Sequence, residues 1–284
     1  MSGPSERFES DRTLQTERPR PLLIRLTLVA SLSALYLAFR LIPTFPMFGV
    51  PGATFRAGDF LAPLYGIVLG PILAPVAIGI GTVIGFFTGA PPLFLGFDFL
   101  PGACSAAVVG LVTHRKRIHS TVLNGVVLLG FILLPFTSFF IPVGSVLVPY
   151  IWLHLVGLVL LASPLSKKAS LEITRDWKGG LEKVPIMGGR WTNYFWRHFV
   201  AFFVLALSAT LAQHLMGGIL TQVVVGLDLN RVPRNYNTWQ AFWTFIFWIY
   251  PFERTVIALG SALIGSAAIL ALKASRLTER LPSL

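Results

Sequence analysis

Seven residues form a candidate substrate-binding set, because their types could hold a small amphipathic molecule: Phe55, Arg56, Asp59, Phe97, Asp98, Glu253 and Arg254. Arg56 and Asp59 open a stretch that runs to Gly89 without another charge. Charges beside long apolar segments are costly without a partner, so they tend to mark a site that something polar uses. Arginine can hold a carboxylate or a phosphate. The rings of Phe55, Phe97, Trp243 and Tyr250 could cover a ring system. The alternative is internal ion pairing, such as Asp59 with Arg254 or Arg56 with Glu253.

Nothing in the sequence indicates catalysis or a metal site. The five histidines lack the clustering that metal ligands show. His154 and His214 each lie in an apolar run without a histidine or carboxylate at i+3 or i+4, which favours a hydrogen bond between helices. The polar segment from Asp228 to Asn235 lacks a nucleophile–base set, and no G-x-x-x-x-G-K-[ST] phosphate loop is present. We therefore expect no enzyme activity and no cofactor, and energy for any transport must come from partners or an ion gradient.

The composition is that of a membrane protein built from helices. Of 284 residues, 54% are hydrophobic and only 12% are charged, with a mean hydropathy of +0.72. Apolar runs near 20 residues recur from Leu22 to Leu272, which is the length that crosses a bilayer. They do not alternate as the strands of a membrane β-barrel would. The net charge of +11 resides mainly in connecting segments, so it indicates loop charges that set orientation rather than binding to nucleic acid.

The apolar runs predict about eight spans, at residues 22–42, 58–70, 71–89, 97–113, 119–140, 143–165, 195–225 and 251–273. With both termini in the cytoplasm, the inner segments hold 18 of the 23 Lys and Arg residues, as the positive-inside rule requires. Span 58–70 is short, so a partial helix is the alternative there. Trp239, Trp243 and Trp248 are expected to anchor an interfacial segment that Pro251 separates from the last span.

Two stripes of small residues predict close helix packing. Ala30, Ala34 and Ala38 share one face of the first span. A second stripe on the third span consists of Ala77, Gly81, Gly85 and Gly89. In lipid, such stripes let a neighbouring helix approach closely. That neighbour can lie within the bundle or in another subunit, and the spacing alone leaves both open.

These motifs together resemble the substrate-binding S components of energy-coupling factor (ECF) transporters. The first span carries an alanine motif like that family's. The G-D…L-x-G…G-P signature of the family is similar to Gly58-Asp59, Leu64-Tyr65-Gly66 and Gly70-Pro71. The fourth span ends in a basic turn at residues 114–117, and the last opens with Pro251-Phe252 and ends in Lys273, as in the family. The resemblance covers residues 22–140 and 251–275.

The resemblance implies a six-span core, which this chain enlarges by an inserted transmembrane hairpin. The predicted organisation is a polar cytoplasmic tail (1–21), core spans 1–5 (22–142), an inserted helix pair (143–225) with a cytoplasmic loop (166–196), an outer loop with an aromatic segment (226–250), and the last span with its tail (251–284).

The implied function is substrate capture for an ABC importer of the ECF type, in the cell membrane of a prokaryote. The ligand would be a vitamin or a related micronutrient. The implied partners are two ATPase subunits and a transmembrane coupling subunit, which the stripe of Ala30, Ala34 and Ala38 would contact. A self-standing secondary transporter is the alternative; it would usually show an internal repeat and acidic residues within the membrane.

Overall fold

Helices make up most of the part of the chain that the computed structural model describes, which comprises residues 21–46, 54–175, 189–228 and 236–274. The α-helices in these ranges are α1 (Pro21–Arg40), α2 (Ala62–Phe87), α3 (Leu100–Thr113), α4 (Arg117–Ile132), α5 (Trp152–Ala162), α6 (Pro164–Thr174), α7 (Gly189–Leu220) and α8 (Tyr236–Ala274). Helix α7 continues as a π-helical segment, Thr221–Asp228. The predicted N-terminal tail to residue 20, much of the predicted loop 166–196 and the C-terminal tail from residue 275 lie outside the described residues.

Four helical segments are long and apolar enough to cross a membrane, as expected for an all-α membrane protein. They are Leu22–Arg40, Ala62–Phe87, Thr192–Gly226 and Asn237–Ala274. Three shorter apolar helices accompany them, at Phe97–Thr113, Arg117–Ile132 and Trp152–Ala162. Many large apolar side chains on these helices are exposed, including Ile72 and Val126. Such a surface suits hydrocarbon rather than water.

Helix α2 is broken at Gly70, as the Gly70-Pro71 pair predicts. Gly70 has a φ of 80° and a ψ of −177°, which lie outside the helical region and suit glycine. On α3, Gly110 packs against Gly70 and Pro71, whereas Gly102 packs against Ile78. The segment 71–87 therefore runs antiparallel to α3.

The segment before Gly70 runs the other way. Gly58 lies against Tyr36, Gly66 lies against Ala106, and Gly70 lies against His114. The chain therefore descends along α3 from Gly58, reverses at Gly70 and returns. Burial lowers the pKa of the His114 side chain beside the reversal, and its Nδ1 donates to the carbonyl oxygen of Gly110 at 2.8 Å.

The bundle has two chemically different ends. One, the hairpin end, carries two antiparallel strand pairs: β1 (Pro43–Pro46) with β2 (Thr54–Arg56), and β3 (Phe140–Val143) with β4 (Val146–Pro149). The other, the basic end, carries the α3–α4 turn, α6 and the last turn of α8. There Lys273 donates to the carbonyl oxygen of Arg175 at 2.8 Å and lies 3.0 Å from Nε2 of His198. Helices α7 and α8 run antiparallel between the two ends.

The middle of the chain differs from the prediction of two spans at 119–140 and 143–165. Helix α4 ends at Ile132, and residues 140–149 form the β3–β4 hairpin instead. This hairpin turns at Gly144, whose φ of 61° suits glycine. The predicted helix pair 143–225 contains three helices, since α6 (Pro164–Thr174) occupies part of the predicted loop 166–196. Ser163, which caps α6, and Pro164 separate it from α5.

The predicted start of the last span, at residue 251, is also wrong. Helix α8 runs from Tyr236 to Ala274 without interruption and includes Pro251. Trp239 and Trp243 are buried, with 0% and 2% exposure, and Nε1 of Trp243 donates to the carbonyl oxygen of Phe136 at 2.7 Å. These two rings belong to the core, and Trp248, at 61% exposure, is the one that faces outward.

Gly66 tests the contact between α2 and α3. A Cβ atom at Gly66 would overlap the carbonyl oxygen of Ala106 and lie 2.9 Å from the amide nitrogen of Gly110. We expect Gly66→Ala to lower the free energy of unfolding by about 1–3 kcal/mol, because backbone must move to admit the methyl group. Thermal unfolding of the purified protein in detergent measures this.

Gly125→Ala is the matched control. Gly125 lies in the middle of α4, and a Cβ atom there meets nothing within 4 Å. That change should leave the unfolding midpoint unchanged or raise it slightly, because alanine favours the helix. Equal midpoints for the two variants would contradict the close approach of α2 and α3.

Candidate functional site

Asp59 connects the first strand pair to α7. It lies in a short 3₁₀ turn, Ala57–Phe60, directly after β2. Its Oδ2 accepts a hydrogen bond from the backbone N–H of Arg56 at 3.2 Å, and its Oδ1 accepts one from Nε2 of Gln213 at 2.7 Å. Gly58, the preceding residue, packs on the ring of Tyr36 and lets the turn approach α1. The carboxylate is thus held by a backbone group three residues away and by a side chain 154 residues away.

Arg254 lies on α8, within electrostatic range of Asp59, and is 1% exposed. Its guanidinium group stacks over the ring of Phe55, with 4.8 Å between Cζ and the ring centroid. Nη2 lies 3.5 Å from Oε2 of Glu253, and Asp59 is close enough to interact with Arg254 electrostatically. A buried arginine needs such partners, because desolvation of its charge is otherwise unfavourable.

Four aromatic rings from α5, α7, α8 and the end of the β3–β4 hairpin pack together next to Arg254. They belong to Tyr150, His154, His214 and Tyr250, and their centroids lie 4.9–6.4 Å apart. Nε2 of His154 lies 3.0 Å from Nδ1 of His214, which confirms the predicted hydrogen bond between helices. Tyr250 donates its hydroxyl hydrogen to the carbonyl oxygen of Tyr150 at 2.9 Å.

Four polar atoms in this region are buried and have no hydrogen-bond partner among the described residues. They are Tyr150 Oη, His154 Nδ1, Gln213 Oε1 and Arg254 Nε. The side chains that carry them are 1–3% exposed. Leaving a buried donor or acceptor unpaired costs about 1–3 kcal/mol, so a water molecule or a ligand that pairs with these four atoms would be stabilised here. We call these four residues together with Asp59 and His214 the polar cluster.

Asp98 and Phe97 lie apart from the polar cluster. Both carboxylate oxygens of Asp98 accept backbone hydrogen bonds, from Leu93 at 2.9 Å and Phe94 at 3.0 Å. Asp98 also pairs with Arg40 at 3.6 Å, and Arg40 stacks on Phe86. This arrangement closes the loop before α3. Phe97 is 51% exposed.

The structure brings together five of the seven candidate residues, namely Phe55, Arg56, Asp59, Glu253 and Arg254. The close ion pair at this site, Glu253 with Arg254 on α8, is not one of the pairs named from sequence. Of those pairs, Asp59 with Arg254 is seen as an electrostatic interaction. Sequence reasoning missed Gln213, the residue that holds Asp59. The available signal was its position: Gln213 and His214 are consecutive polar residues in an otherwise apolar run.

The two stripes of small residues face different ways. Gly81 packs against Ser33 and Tyr36, and Gly85 packs against Arg40, so this stripe is internal packing between α2 and α1. The alanine stripe, Ala30, Ala34 and Ala38, is exposed. Helix α1 therefore turns its small residues away from the bundle and its Ser33, Tyr36 and Arg40 towards it.

A metal centre finds no support in the described ranges, where no group of three or more His, Cys, Asp and Glu side chains could hold an ion. The polar cluster offers hydrogen-bonding groups, one buried cation and stacked rings. Such groups bind and orient a molecule. Comparison with known proteins yields no family model that matches the chain, and no curated protein or solved structure matches it significantly.

Exchanging Gln213 for glutamate tests the contact with Asp59. Gln213→Glu puts a second carboxylate where an amide now donates at 2.7 Å. We expect about 2 kcal/mol or more of lost stability at pH 8, since a hydrogen bond to a charge becomes a repulsion. The loss should shrink towards pH 5, because two adjacent carboxylates bind a proton more readily folded than unfolded. Stability of this variant relative to wild type thus falls as pH rises.

The double variant Asp59→Asn with Gln213→Glu is the control. It exchanges donor and acceptor, so the new asparagine amide can donate to the new carboxylate while its oxygen still accepts from the Arg56 N–H. Thermal unfolding from pH 5 to pH 8 should show the double variant above the single one, with a weaker pH dependence. A single variant as stable as wild type at pH 8 would rule out the contact.

Proposed function

We propose that this chain is the substrate-capture subunit of an ECF-type importer for a vitamin or a related micronutrient. The observation that carries the proposal is the outward alanine stripe of α1. Ala30, Ala34 and Ala38 are exposed along a helix whose other face is already packed against α2. In lipid, a row of small residues favours close approach of another helix, because packing rather than exclusion of water drives association. The coupling subunit would supply that helix.

The charge distribution supports an orientation with the basic end in the cytoplasm. Arg115 and Lys116 lie in the turn between α3 and α4, which Arg117 ends as the first residue of α4. Lys167 and Lys168 lie on α6. Cytoplasmic segments near helix ends carry such an excess of Lys and Arg. The hairpin end then faces outward. The two arms of α2 would count as the short second and the third span of a six-span core, to which α5, α6 and α7 add an inserted part.

The polar cluster supports capture from the outside. Asp59 and Phe55 are partly exposed and lie towards the hairpin end, whereas Arg254, Gln213 and His154 are buried behind them. A ligand that enters between the hairpins would meet Asp59 first and the buried groups next. The sequence has no phosphate loop of the Walker type, so two separate ATPases acting through the coupling subunit would supply the energy.

A self-standing secondary transporter remains the second candidate, because acidic groups do lie inside the bundle. Glu253 is 6% exposed, and Asp59 and the His154–His214 pair each interact electrostatically with Arg254. Intramembrane ionisable groups of this kind can couple an ion to transport. Liposomes that contain the chain alone decide between the two. Accumulation of a co-purifying compound under a pH gradient would favour this candidate, and accumulation that needs the partners and ATP would favour the first.

Ala34→Trp tests the docking of α1. We expect the change to abolish co-purification of the coupling subunit and the two ATPases from the native cell. The reason is that an indole in the middle of the stripe holds the partner helix several ångströms away. Affinity purification of the tagged chain, followed by mass spectrometry of the retained proteins, measures this.

Val126→Trp is the matched control. Val126 is 61% exposed on α4, which packs against α3, α5 and α7, away from α1. Both variants place a tryptophan on a lipid-facing surface, so both should be inserted and purified in similar amounts. Partner subunits retained by Ala34→Trp as well as by Val126→Trp would count against the proposal.

A further inference from the structure

We propose that the polar cluster recognises an uncharged heterocycle with a cyclic amide, a ring in which a carbonyl group adjoins an N–H group. This inference rests on the proposed capture function and names the class of its ligand. Its basis is a buried donor and a buried acceptor that are both unpaired among the described residues, Arg254 Nε and Gln213 Oε1. A cyclic amide presents the complementary pair, an acceptor next to a donor, on one edge.

The orientation of the Gln213 amide follows from the chemistry of Asp59. A carboxylate only accepts hydrogen bonds, so the group that lies 2.7 Å from Asp59 Oδ1 must be the NH₂ group. The amide oxygen is therefore the atom left without a partner. It requires a donor from the ligand.

Arg254, in contrast, requires a hydrogen-bond acceptor from the ligand. Its guanidinium group offers five N–H donors in a fixed plane. One face lies on the Phe55 ring, and the contact with Glu253, at 3.5 Å, is at the limit of a hydrogen bond. The Nε atom is buried and has no acceptor in the described part of the chain. A carbonyl oxygen of the ligand would satisfy it.

The charges around Arg254 favour an uncharged ligand over an anion. Glu253 lies 3.5 Å from the Arg254 guanidinium, and Asp59 also interacts with it electrostatically, so two acidic side chains already face the buried cation. A ligand carboxylate or phosphate placed there would meet these two negative charges at short range, and such repulsion is strong away from water. A carbonyl group accepts from Arg254 without adding charge.

A group of aromatic rings adjoins Arg254, and planar groups stack favourably on such rings. Tyr150, His154, His214 and Tyr250 form one group of rings, and Tyr150 meets Trp243 edge-on at 5.2 Å between centroids. Nδ1 of His154 and Oη of Tyr150 are unpaired at this group and can each donate or accept. A heterocycle with further ring nitrogen or carbonyl groups would use them.

The recognising groups come largely from the segment that the resemblance marks as inserted. Tyr150, His154, Gln213 and His214 all lie within residues 143–225, while Asp59 and Arg254 belong to the core. The site thus spans the boundary between the two parts. The inserted segment would then set which ligand the core captures.

A ligand panel tests the inference on the wild-type chain. The probes are uracil, lumazine and lumiflavin, three cyclic-amide rings of increasing size, each compared with its N-methylated counterpart. Equilibrium dialysis against the purified chain in detergent gives the affinities, with empty micelles as the blank. We expect at least one parent ring to bind about tenfold or more tightly than its methylated form, because methylation removes the donor that Gln213 Oε1 needs.

Gln213→Met should remove this discrimination by taking away the acceptor, so that parent and methylated rings bind within about twofold of each other. Gln222→Met is the matched control on the same helical run. Gln222 is equally buried, but its amide bonds to Thr137 and to the backbone of Phe136. We expect Gln222→Met to lower the thermal stability and to keep the tenfold difference in affinity between parent and methylated rings. The panel on the wild type remains decisive even where the Gln213 variant does not fold.

Two results overturn the inference: equal binding of parent and methylated rings, or binding of no parent ring above the micelle blank. Mass spectrometry of small molecules that co-purify with the chain separates this failure from failure of the proposed function. A bound compound without a cyclic amide, found together with the coupling subunit and the ATPases, contradicts the ligand class and leaves the capture function intact. A bound cyclic amide without those proteins supports the ligand class and contradicts the ECF assignment.

Discussion

The Gln213 amide donates to Asp59 at 2.7 Å, and this contact joins parts of the chain that are 154 residues apart. Asp59 sits where the first strand pair becomes α2, so the bond fixes the start of α2 against α7. It also places the carboxylate beside Arg254 on α8. A carboxylate and a guanidinium group can remain within an apolar bundle only if each has partners. The packing of three elements therefore follows from the need to satisfy two charges.

Small residues make this arrangement sterically possible. Gly58 lets the turn that carries Asp59 approach Tyr36, Gly66 and Gly110 let α2 and α3 touch, and Gly70 allows the reversal. In lipid, close packing of this type replaces the exclusion of water as the source of helix association. The same glycines set the position of the first arm of α2, residues 62–69, along α3. They thereby set the position of Asp59, which lies just before that arm at the hairpin end.

The sequence predicted features that depend on local chemistry. Composition predicts the apolar helices, Gly70-Pro71 predicts the break, and the glycine stripe predicts a packed face. Features that depend on distant partners were missed or wrong. The Trp239 and Trp243 side chains look like interface anchors until Phe136 provides a carbonyl acceptor for Trp243 from 107 residues away.

Pro251 suggests a helix boundary, yet it removes only one hydrogen bond, and the packing of α8 on α7 carries the helix through it. Likewise the pairing of Asp98 with Arg40 has no local signature. For the candidate site, the sequence identified the charged residues and Phe55, which stacks on Arg254, but not Gln213, which donates to Asp59.

Tyr36 connects the candidate site to α1. It touches Gly58, Gly81 and Gly102 from the buried face of α1, whose opposite face carries Ala34 and Ala38. Under the proposed function, a ligand that displaces the turn with Gly58 and Asp59 would also displace Tyr36 and with it α1, the helix that contacts the partner. Ligand and partner would then each change the affinity of the other.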